Sequence, residues 1–582
     1  MNLPYLSNMK FILPVFLVVY YSIPLAIGQQ SRFEKSNGKE TATYAEIVDW
    51  YRLMDKISVK VKVKETGITD AGYPLQVVMV SNDATFDPGE WHRRQKVVIF
   101  INNGIHPGEP DGIDASMQLV RDIAKGKISL PDNVALALIP VYNIGGCLNR
   151  NSTTRVNQNG PAEYGFRGNA QNLDLNRDFT KCDSREARIF PEIFHSLDPD
   201  IFIDNHVSDG ADYQHTMTLI TTQYDKLGPE LGSWAKTDFE PALYRRMAGK
   251  GWDMIPYVDF EHTDIEKGMP MFYDPPRYSS GYAALFNTLS FIPETHMLKP
   301  YGQRVKSTFD LMVSFIEEAQ QQAAILIQKR KAAVSATIYR QNFPLKWELS
   351  QSVHREIIFK GYEKDTTISE VTGLPRMFFN HSRPFTKKVS YFDTYLPLSE
   401  VKKPTAYLIP QGWRTVVELL QLNDVTVRRL EHDSLINVTA YQIEKYASYS
   451  KPYEKHHKNY NVQVTAISEK IAFLKGDYII LLDQPANRYL VEMLEPTGDD
   501  SFFAWNFFDA VLQQKEGYSD YRWEDIAASV VKNDPLLSEK LEKKKAAEPA
   551  FAANAGEILE YVYKHSPYYE KAHMRYPVFR IE

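Results

Sequence analysis

The chain is poor in cysteine, with only Cys147 and Cys182 among its 582 residues. Two thiols allow at most one disulfide, so the protein cannot be a small scaffold held together by disulfides. It must instead bury a hydrophobic core, and its 43% hydrophobic content is sufficient for that. A chain of 582 residues is too long for one ordinary core, so the sequence predicts two or three domains.

The chain also lacks a marked excess of charge of either sign. Its 67 basic and 73 acidic residues are interspersed and give a net charge of -6. Nucleic-acid-binding domains carry a concentrated basic surface, which this composition does not provide. The sequence therefore predicts no nucleic-acid partner.

Long hydrophobic runs are equally scarce, and the one at residues 11 to 28 stands alone. It follows Lys10 and precedes a polar stretch, with the small residues Ala26 and Gly28 near its end. This pattern is typical of a secretory signal peptide, here residues 1 to 28, and predicts a secreted or periplasmic protein. The run is also close to the length of a transmembrane helix, so an uncleaved membrane anchor is the alternative.

The remaining pattern predicts an α/β fold followed by other structure. Residues 29 to 43 are polar and predict an unstructured leader, and strand and helix patterns then alternate, which indicates a mixed, mostly parallel sheet flanked by helices. Residues 340 to 485 consist of short β-rich runs and predict a separate β-rich domain, and residues 486 to 582 predict a helical C-terminal region. The predicted strands include 96–104, 133–143 and 200–206, and the predicted helices include 111–126, 183–197 and about 304–333.

Two common hydrolase motifs are absent. The sequence contains no GxSxG, which would indicate a serine hydrolase, and no HExxH, which would indicate a zinc-binding protease helix.

Polar side chains instead follow several of the predicted strands. His106 and Glu109 form an HxxE pair after one strand, His206 ends a second, and Glu294 lies in a third apolar strand. The carboxyl ends of parallel strands meet at one edge of a sheet, where sites are usually built. Two histidines and a carboxylate can hold a catalytic zinc ion, and a further carboxylate can act as a general base.

Asn176 and Arg177 lie in the segment NLDLNRDF. An arginine at this place can present its planar guanidinium to a carboxylate, such as the free C-terminus of a peptide. A surface loop with an ordinary ion pair is the alternative interpretation.

The order of these motifs resembles the zinc carboxypeptidases of the carboxypeptidase A type, peptidase family M14. The resemblance covers about residues 44 to 320 and predicts a catalytic domain at 44 to 335. Arg167 lies nine residues before Asn176. This spacing is similar to that of the family's shorter, regulatory or bacterial branch.

The resemblance implies one Zn²⁺ per chain, held by His106, Glu109 and His206. It implies that Glu294 activates a zinc-bound water and then protonates the leaving amine. The predicted reaction is hydrolysis of the C-terminal bond of a peptide.

The resemblance also assigns substrate contacts. Arg167 would polarise the scissile carbonyl, and Asn176 and Arg177 would bind the terminal carboxylate. The family's site tyrosine could be Tyr273, Tyr278 or Tyr282, of which Tyr282 is preferred here.

Two other functions are compatible with part of this pattern. A zinc amidase or deacylase of the aspartoacylase type shares the HxxE pair, the later histidine and the Asn-Arg pair. That group tends to continue with Phe-Pro-Gly, whereas Arg177 is followed by Asp178, Phe179 and Thr180, which favours the peptidase. The other alternative is a catalytically inactive peptide-binding module, which the presence of Glu294 disfavours.

Overall fold

The computed structural model describes residues 30–208, 211–259 and 265–582, so the predicted signal peptide lies outside the described residues. The chain forms two compact units. The first contains the described residues up to Lys403 together with Glu418–Val425 and Asp483–Glu492. The second contains Pro404–Val417, Thr426–Leu482 and Met493–Glu582.

The first unit is built on a nine-stranded mixed sheet. Its strands are β1 (Val61–Ile68), β2 (Pro74–Val80), β3 (Val97–Asn102), β4 (Val134–Ile139), β5 (Ile201–Asp204), β6 (His206–Ser208), β7 (Met217–Thr221), β8 (Ile255–Pro256) and β10 (Leu289–His296). The short strand β9 (Met269–Pro270) belongs to another sheet. The order is β1-β2-β4-β3-β5-β10-β7-β8, and β6 pairs with β10. Parallel pairs link β4, β3, β5 and β10, while β1–β2, β2–β4 and β10–β7 are antiparallel. This arrangement confirms the predicted mixed, mostly parallel sheet.

The central strands have continuous apolar sequences because both of their faces are covered. All six residues of β3 and all six of β4 are buried. Strands of a parallel sheet lie between helices and therefore show no polar alternation. The helices of this unit are Tyr44–Ile57, Pro88–Arg93, Asp111–Ala124, Ile144–Leu148, Arg185–Leu197, Tyr224–Trp234, Glu240–Gly249, Ser279–Leu285 and Tyr301–Tyr339, with a π-helix at Ala235–Phe239 and 3-10 turns at Leu175–Arg177 and Ile265–Lys267.

The predicted unstructured leader is wrong for its described part. Arg32–Lys35 form a helical turn, and Ser31 and Glu34 cap its start reciprocally. The Phe33 ring packs edge-to-face against the Tyr301 ring, with the centroids 5.6 Å apart. Because these residues find partners on the folded unit, a segment that is polar in sequence is ordered by tertiary contacts.

The predicted β-rich region is divided between the two units. β11 (Asn342–Leu349) pairs with β14 (Tyr395–Lys402), and β12 (Arg355–Ile368) forms a long hairpin with β13 (Pro375–Phe392) that also takes up β9. These strands belong to the first unit, so the boundary predicted near residue 340 falls inside it.

The second unit contains a six-stranded sheet of β15 (Ala406–Ile409), β16 (Arg428–Arg429), β17 (Ser434–Ser448), β18 (Asn459–Phe473), β19 (Tyr478–Leu481) and β20 (Phe579–Ile581). The order is β16-β19-β15-β20-β17-β18. The helices Asp520–Asn533, Pro535–Ala547, Pro549–Ala552 and Ala555–Lys564 pack around a core that includes Trp523 and Phe551. The C-terminal region is thus mainly helical, but its last residues complete the sheet. The chain also forms the helices Arg414–Leu422 and Asn487–Leu494 and 3-10 turns at Gln411–Trp413 and Asp509–Leu512.

Cys147 and Cys182 are both buried and unpaired in the described chain.

Among the residues that the structure describes, no helix combines the length and apolar character needed to cross a bilayer.

Asp114 is fully buried in the helix Asp111–Ala124 and accepts a hydrogen bond from the Tyr301 hydroxyl. Burial raises the pKa of this carboxyl group to about 7. The folded protein therefore retains a proton that the unfolded chain releases near pH 4, so this group favours folding at low pH and loses that contribution as pH rises to about 7. We expect Asp114→Asn to remove a stability difference of roughly 2–4 kcal/mol between pH 4.5 and 7.5. Urea unfolding of both proteins at the two pH values measures this, and identical pH slopes would contradict it.

Candidate metal and substrate site

The carboxyl ends of three neighbouring strands bring the predicted site residues together. The loop after β3 carries His106 and Glu109, His206 begins β6, and Glu294 lies near the end of β10. In the pairing of β10 with β6, Glu294 stands opposite His206. His106 and Glu294, which are 188 positions apart in sequence, thus lie at the same edge of the sheet.

His106, Glu109 and His206 are arranged as a potential metal site. These residues are 2%, 3% and 5% exposed, and one ligand atom from each lies within 4.8 Å of the others. The Nδ1 atom of His106 is 3.4 Å from Oε1 of Glu109, and Nδ1 of His206 is 3.2 Å from Oε2. Two imidazoles and a carboxylate form a donor set suited to zinc.

Both imidazole rings are held by carboxylates on their other side. Nε2 of His106 is 2.8 Å from Oδ1 of Asp174, and Nε2 of His206 is 3.0 Å from Oδ2 of Asp204. A histidine that donates its Nε2–H to a carboxylate presents the lone pair of Nδ1, as metal-binding histidines do. Within the described part of the chain, the buried Nδ1 of His106 has no hydrogen-bond partner. The residues present therefore fit a metal ion.

Charged neighbours shift the pKa values of His206 and Asp174. Burial alone would lower the pKa of His206, but the neighbouring Asp204 and Glu109 carboxylates raise it well above its ordinary value. Burial opposes ionisation of Asp174, yet His106, Arg167 and Arg177 lower its pKa. Asp174 was not among the site residues predicted from the sequence, although its alternation with apolar residues in NLDLN could have indicated it.

Glu109 is held by donors on both of its oxygens. Oε1 accepts from Arg155 at 2.8 Å and faces Arg167 at 3.4 Å, while Oε2 accepts from the backbone N–H of Val207 at 2.9 Å. Burial would raise the pKa of Glu109, but the Arg155 guanidinium and His106 lower it well below its ordinary value. Arg155 was not identified from the sequence because it lies in a polar loop without a recognisable motif.

A cavity of about 200 Å³ opens beside this group. Arg177 stacks on the Tyr278 ring, 4.1 Å from its centroid, and Oδ1 of Asn176 accepts from the backbone N–H of Ser279 at 3.2 Å. The residues that line the cavity are His106, Glu109, Arg167, Asn176, Arg177, His206, Val207, Ser208, Ile220, Tyr257, Phe272, Asp274, Tyr278, Ile292 and Glu294. The cavity therefore combines cationic, carboxylate and apolar walls.

Tyr282, which was predicted to contact substrate, does not line this cavity. It is fully buried in the helix Ser279–Leu285, packs against Phe190 and Phe194, and donates a hydrogen bond to Oδ1 of Asn423 at 2.7 Å. Tyr278 lies one turn earlier, at the start of the helix, and does line the cavity. The correction has a simple cause, because all seven residues of this helix are buried and a side chain in its centre faces the core.

This difference predicts opposite results for two tyrosine variants. We expect Tyr278→Leu to lower kcat/KM about tenfold, because the ring that holds Arg177 would be lost. Tyr282→Phe should leave kcat/KM within about twofold but lower the free energy of unfolding by about 1–2 kcal/mol, because Asn423 would lose a buried partner. Steady-state kinetics and urea unfolding of both variants test this, and the reverse pattern would contradict it.

Comparison with known proteins finds similarity to zinc carboxypeptidases. Residues 47–199 match the family model for zinc carboxypeptidase, a range that includes His106, Glu109 and the Asn-Arg pair but ends before His206 and Glu294. "Carboxypeptidase 2" of Trichophyton rubrum is 21% identical over 457 residues, which is 74% of this chain and 77% of the relative. "Carboxypeptidase 2" of Trichophyton equinum is also 21% identical, over 461 residues, with the same coverage.

Among solved structures, a metallo-carboxypeptidase from Burkholderia cenocepacia aligns with a TM-score of 0.37 and 16% identity, covering 48% of this chain and 70% of its own. One from Pseudomonas aeruginosa, in complex with (2-guanidinoethylmercapto)succinic acid, aligns with a TM-score of 0.36 and 13% identity, covering 49% and 70%. The chain is therefore similar to zinc carboxypeptidases, both to the family model over residues 47–199 and to the curated carboxypeptidases at about 21% identity.

Proposed function

We propose that this protein is a zinc-dependent metallocarboxypeptidase that hydrolyses the C-terminal bond of peptides. One observation carries the proposal. His106 and His206, each held by a carboxylate, line a cavity together with Glu109, Glu294 and two arginines. The match of residues 47–199 to the zinc carboxypeptidase family model supports a peptidase. The contents of the cavity support cleavage next to a free carboxylate.

His106, Glu109 and His206 would hold one zinc ion per chain, with the Nδ1 atoms of both histidines facing Glu109. When bound, zinc would supply Lewis acidity for the scissile carbonyl and for water, whose pKa a protein-bound zinc lowers to about 7. Asp174 and Asp204 would keep the two rings in the required tautomer and orientation.

Arg177 and Asn176 would bind the terminal carboxylate of the substrate. The Arg177 guanidinium is fixed by the Tyr278 ring and by a hydrogen bond from Nη1 to the Asn176 carbonyl at 2.8 Å. A preorganised guanidinium binds a carboxylate with little loss of side-chain freedom. This contact would select the last residue of a chain and exclude internal peptide bonds.

Glu294 and Arg167 would act at the bond that is cleaved. The Glu294 carboxylate lines the cavity and raises the pKa of His206 electrostatically, so it lies near the proposed ligands. It would accept the proton of the attacking water and later donate a proton to the leaving amine. Arg167, whose side chain is 45% exposed, would move to the carbonyl oxygen and stabilise its developing negative charge.

The proposal is tested with matched substrates that differ only at the C-terminus. We expect purified protein to release the last residue from peptides with a free carboxylate and not from the same peptides carrying a C-terminal amide. A chelator such as dipicolinate should abolish release, and added zinc should restore it. Release from simple acylated amino acids alone would favour the amidase, and binding of peptides without any release would favour the inactive module.

We also propose that residues 1–28 direct export, so that the enzyme acts outside the cytoplasm. N-terminal sequencing of the mature protein from the expressing cells tests this. A start near residue 29 in the soluble fraction supports export with cleavage, whereas an intact N-terminus in the membrane fraction would indicate an anchor.

A further inference from the structure

Arg155 joins two segments that carry the proposed metal ligands. Its Nη1 atom donates to Oε1 of Glu109 at 2.8 Å, and its Nη2 atom donates to the carbonyl of Val207, the residue after His206, at 3.3 Å. Its side chain is only 14% exposed. The guanidinium therefore contacts a candidate ligand directly and the neighbour of a second one.

The surrounding loop is arranged to hold this side chain. Nε of Arg155 donates to Oε1 of Gln158 at 2.6 Å, and the backbone N–H of Arg155 donates to the Tyr164 hydroxyl at 3.0 Å. Gln158 in turn donates to the carbonyl of Gly108 at 2.9 Å, inside the turn between His106 and Glu109. The loop therefore contacts the ligand-bearing turn twice, through Arg155 at Glu109 and through Gln158 at Gly108.

Gly108 makes this approach possible. A Cβ atom at this position would lie 2.7 Å from Cδ of Arg155 and 3.1 Å from the carbonyl oxygen of Gly165. Contacts below 3.0 Å are not tolerated by real Cβ atoms, so only glycine lets the arginine stem lie across the turn.

Two arginines approach the same oxygen of Glu109, and their surroundings differ. Arg167 reaches Oε1 at 3.4 Å from a side chain that is 45% exposed and also donates to Asp174. Arg155 is closer and is enclosed by protein groups. A buried carboxylate requires a permanent partner, which the enclosed arginine provides better than the exposed one.

We infer that Arg155 is a positioning residue of the metal centre, which fixes the Glu109 carboxylate and balances its charge so that Arg167 is released to the substrate carbonyl. The first half of this inference concerns metal binding alone. The second half rests on the proposed function. Partners of this kind typically change metal affinity or activity by about 10–100-fold when they are removed.

The test compares Arg155→Met, which keeps the length of the side chain without its charge or donors, with Arg150→Met from the same loop. Arg150 donates to the backbone carbonyls of Thr41, Ala42 and Glu163 and does not line the cavity, so it serves as a structural control. Zinc affinity is measured by competition with a chromogenic chelator, on protein whose folding is verified by circular dichroism. We expect Arg155→Met to weaken zinc binding about 10–100-fold, and Arg150→Met to leave it within about twofold.

Arg155→Lys provides a second, milder variant. Its single ammonium group can reach Glu109 but cannot also hold the Val207 carbonyl, so we expect an intermediate zinc affinity of about three- to tenfold below wild type. The visible spectrum of the Co²⁺-substituted protein should change in Arg155→Met and not in Arg150→Met, because it reports ligand geometry. For hydrolysis, kcat should fall in both Arg155 variants while KM stays within about twofold.

Wild-type zinc affinity and an unchanged cobalt spectrum in Arg155→Met would overturn the inference, and so would equal losses in Arg150→Met, which would show a general effect of the loop. If Arg155→Met does not fold, Arg155→Lys decides by the same criteria. A wild-type protein that binds zinc but releases no amino acid would refute the proposed function, while the zinc affinities would still test the role of Arg155 in metal binding.

Discussion

Replacing Glu294 with glutamine is expected to lower kcat by about 10³-fold or more while zinc remains bound. The amide has nearly the same shape as the carboxylate but cannot accept the proton of an attacking water, and general-base catalysis contributes about 10²–10⁴-fold. Glu294 lines the cavity and is not one of the three residues grouped as potential metal ligands. Its loss should therefore affect the chemical step much more than metal content.

The matched control is Glu192→Gln, which makes the same change at an exposed position of the helix Arg185–Leu197. Zinc content is measured by atomic emission, and kcat with a chromogenic peptide that has a free C-terminus. We expect full activity in the control. A Glu294→Gln protein that retains more than a tenth of wild-type kcat would show that another group takes the proton.

Removing a proposed metal ligand should have the other large effect. We expect His206→Ala to weaken zinc binding by at least about 10³-fold and to abolish hydrolysis, because a site with two protein ligands loses much of the binding free energy of a site with three. His206 is buried between Asp204 and Glu109, and its loss would leave His106 and Glu109 as the remaining residues of the candidate triad.

Asp204→Asn separates the ligand from the residue that orients it. The asparagine keeps the size of the side chain but removes the charge that faces Nε2 of His206. We expect it to weaken zinc binding by about 10–100-fold, clearly less than His206→Ala. Chelator competition measures both variants, and equal effects would mean that Asp204 stabilises the fold around the site and does not merely orient the ring.

The position of the site tyrosine and the order of the leader were not evident from the sequence. Three tyrosines lie within ten residues of one another, and only the burial of the helix Ser279–Leu285 distinguishes Tyr278 from Tyr282. The segment after residue 30 is polar, yet Arg32 pairs with Glu40 and Glu46 and the Phe33 ring packs on Tyr301. Both errors have one physical reason, since a local pattern does not reveal contacts with residues that are distant in sequence.

Domain limits were harder still to infer. The β-rich texture of residues 340–485 is present in both units, and contacts divide it near residue 403. Strand composition reports only that a segment fits a pleated surface, not which sheet it joins. β20 has three residues and pairs with β15 and β17, so its place in the sheet depends on tertiary structure.

The sequence by itself determined the fold class and the candidate ligands, because buried parallel strands leave continuous apolar runs and the polar residues after them must meet at one edge of the sheet. Only the tertiary structure decided which groups surround those ligands. These groups are Asp174, Asp204 and Arg155, which lie about 3 Å from His106, His206 and Glu109, respectively. Their separations in sequence, from 2 to 68 residues, follow no period, so no sequence pattern could have revealed all three.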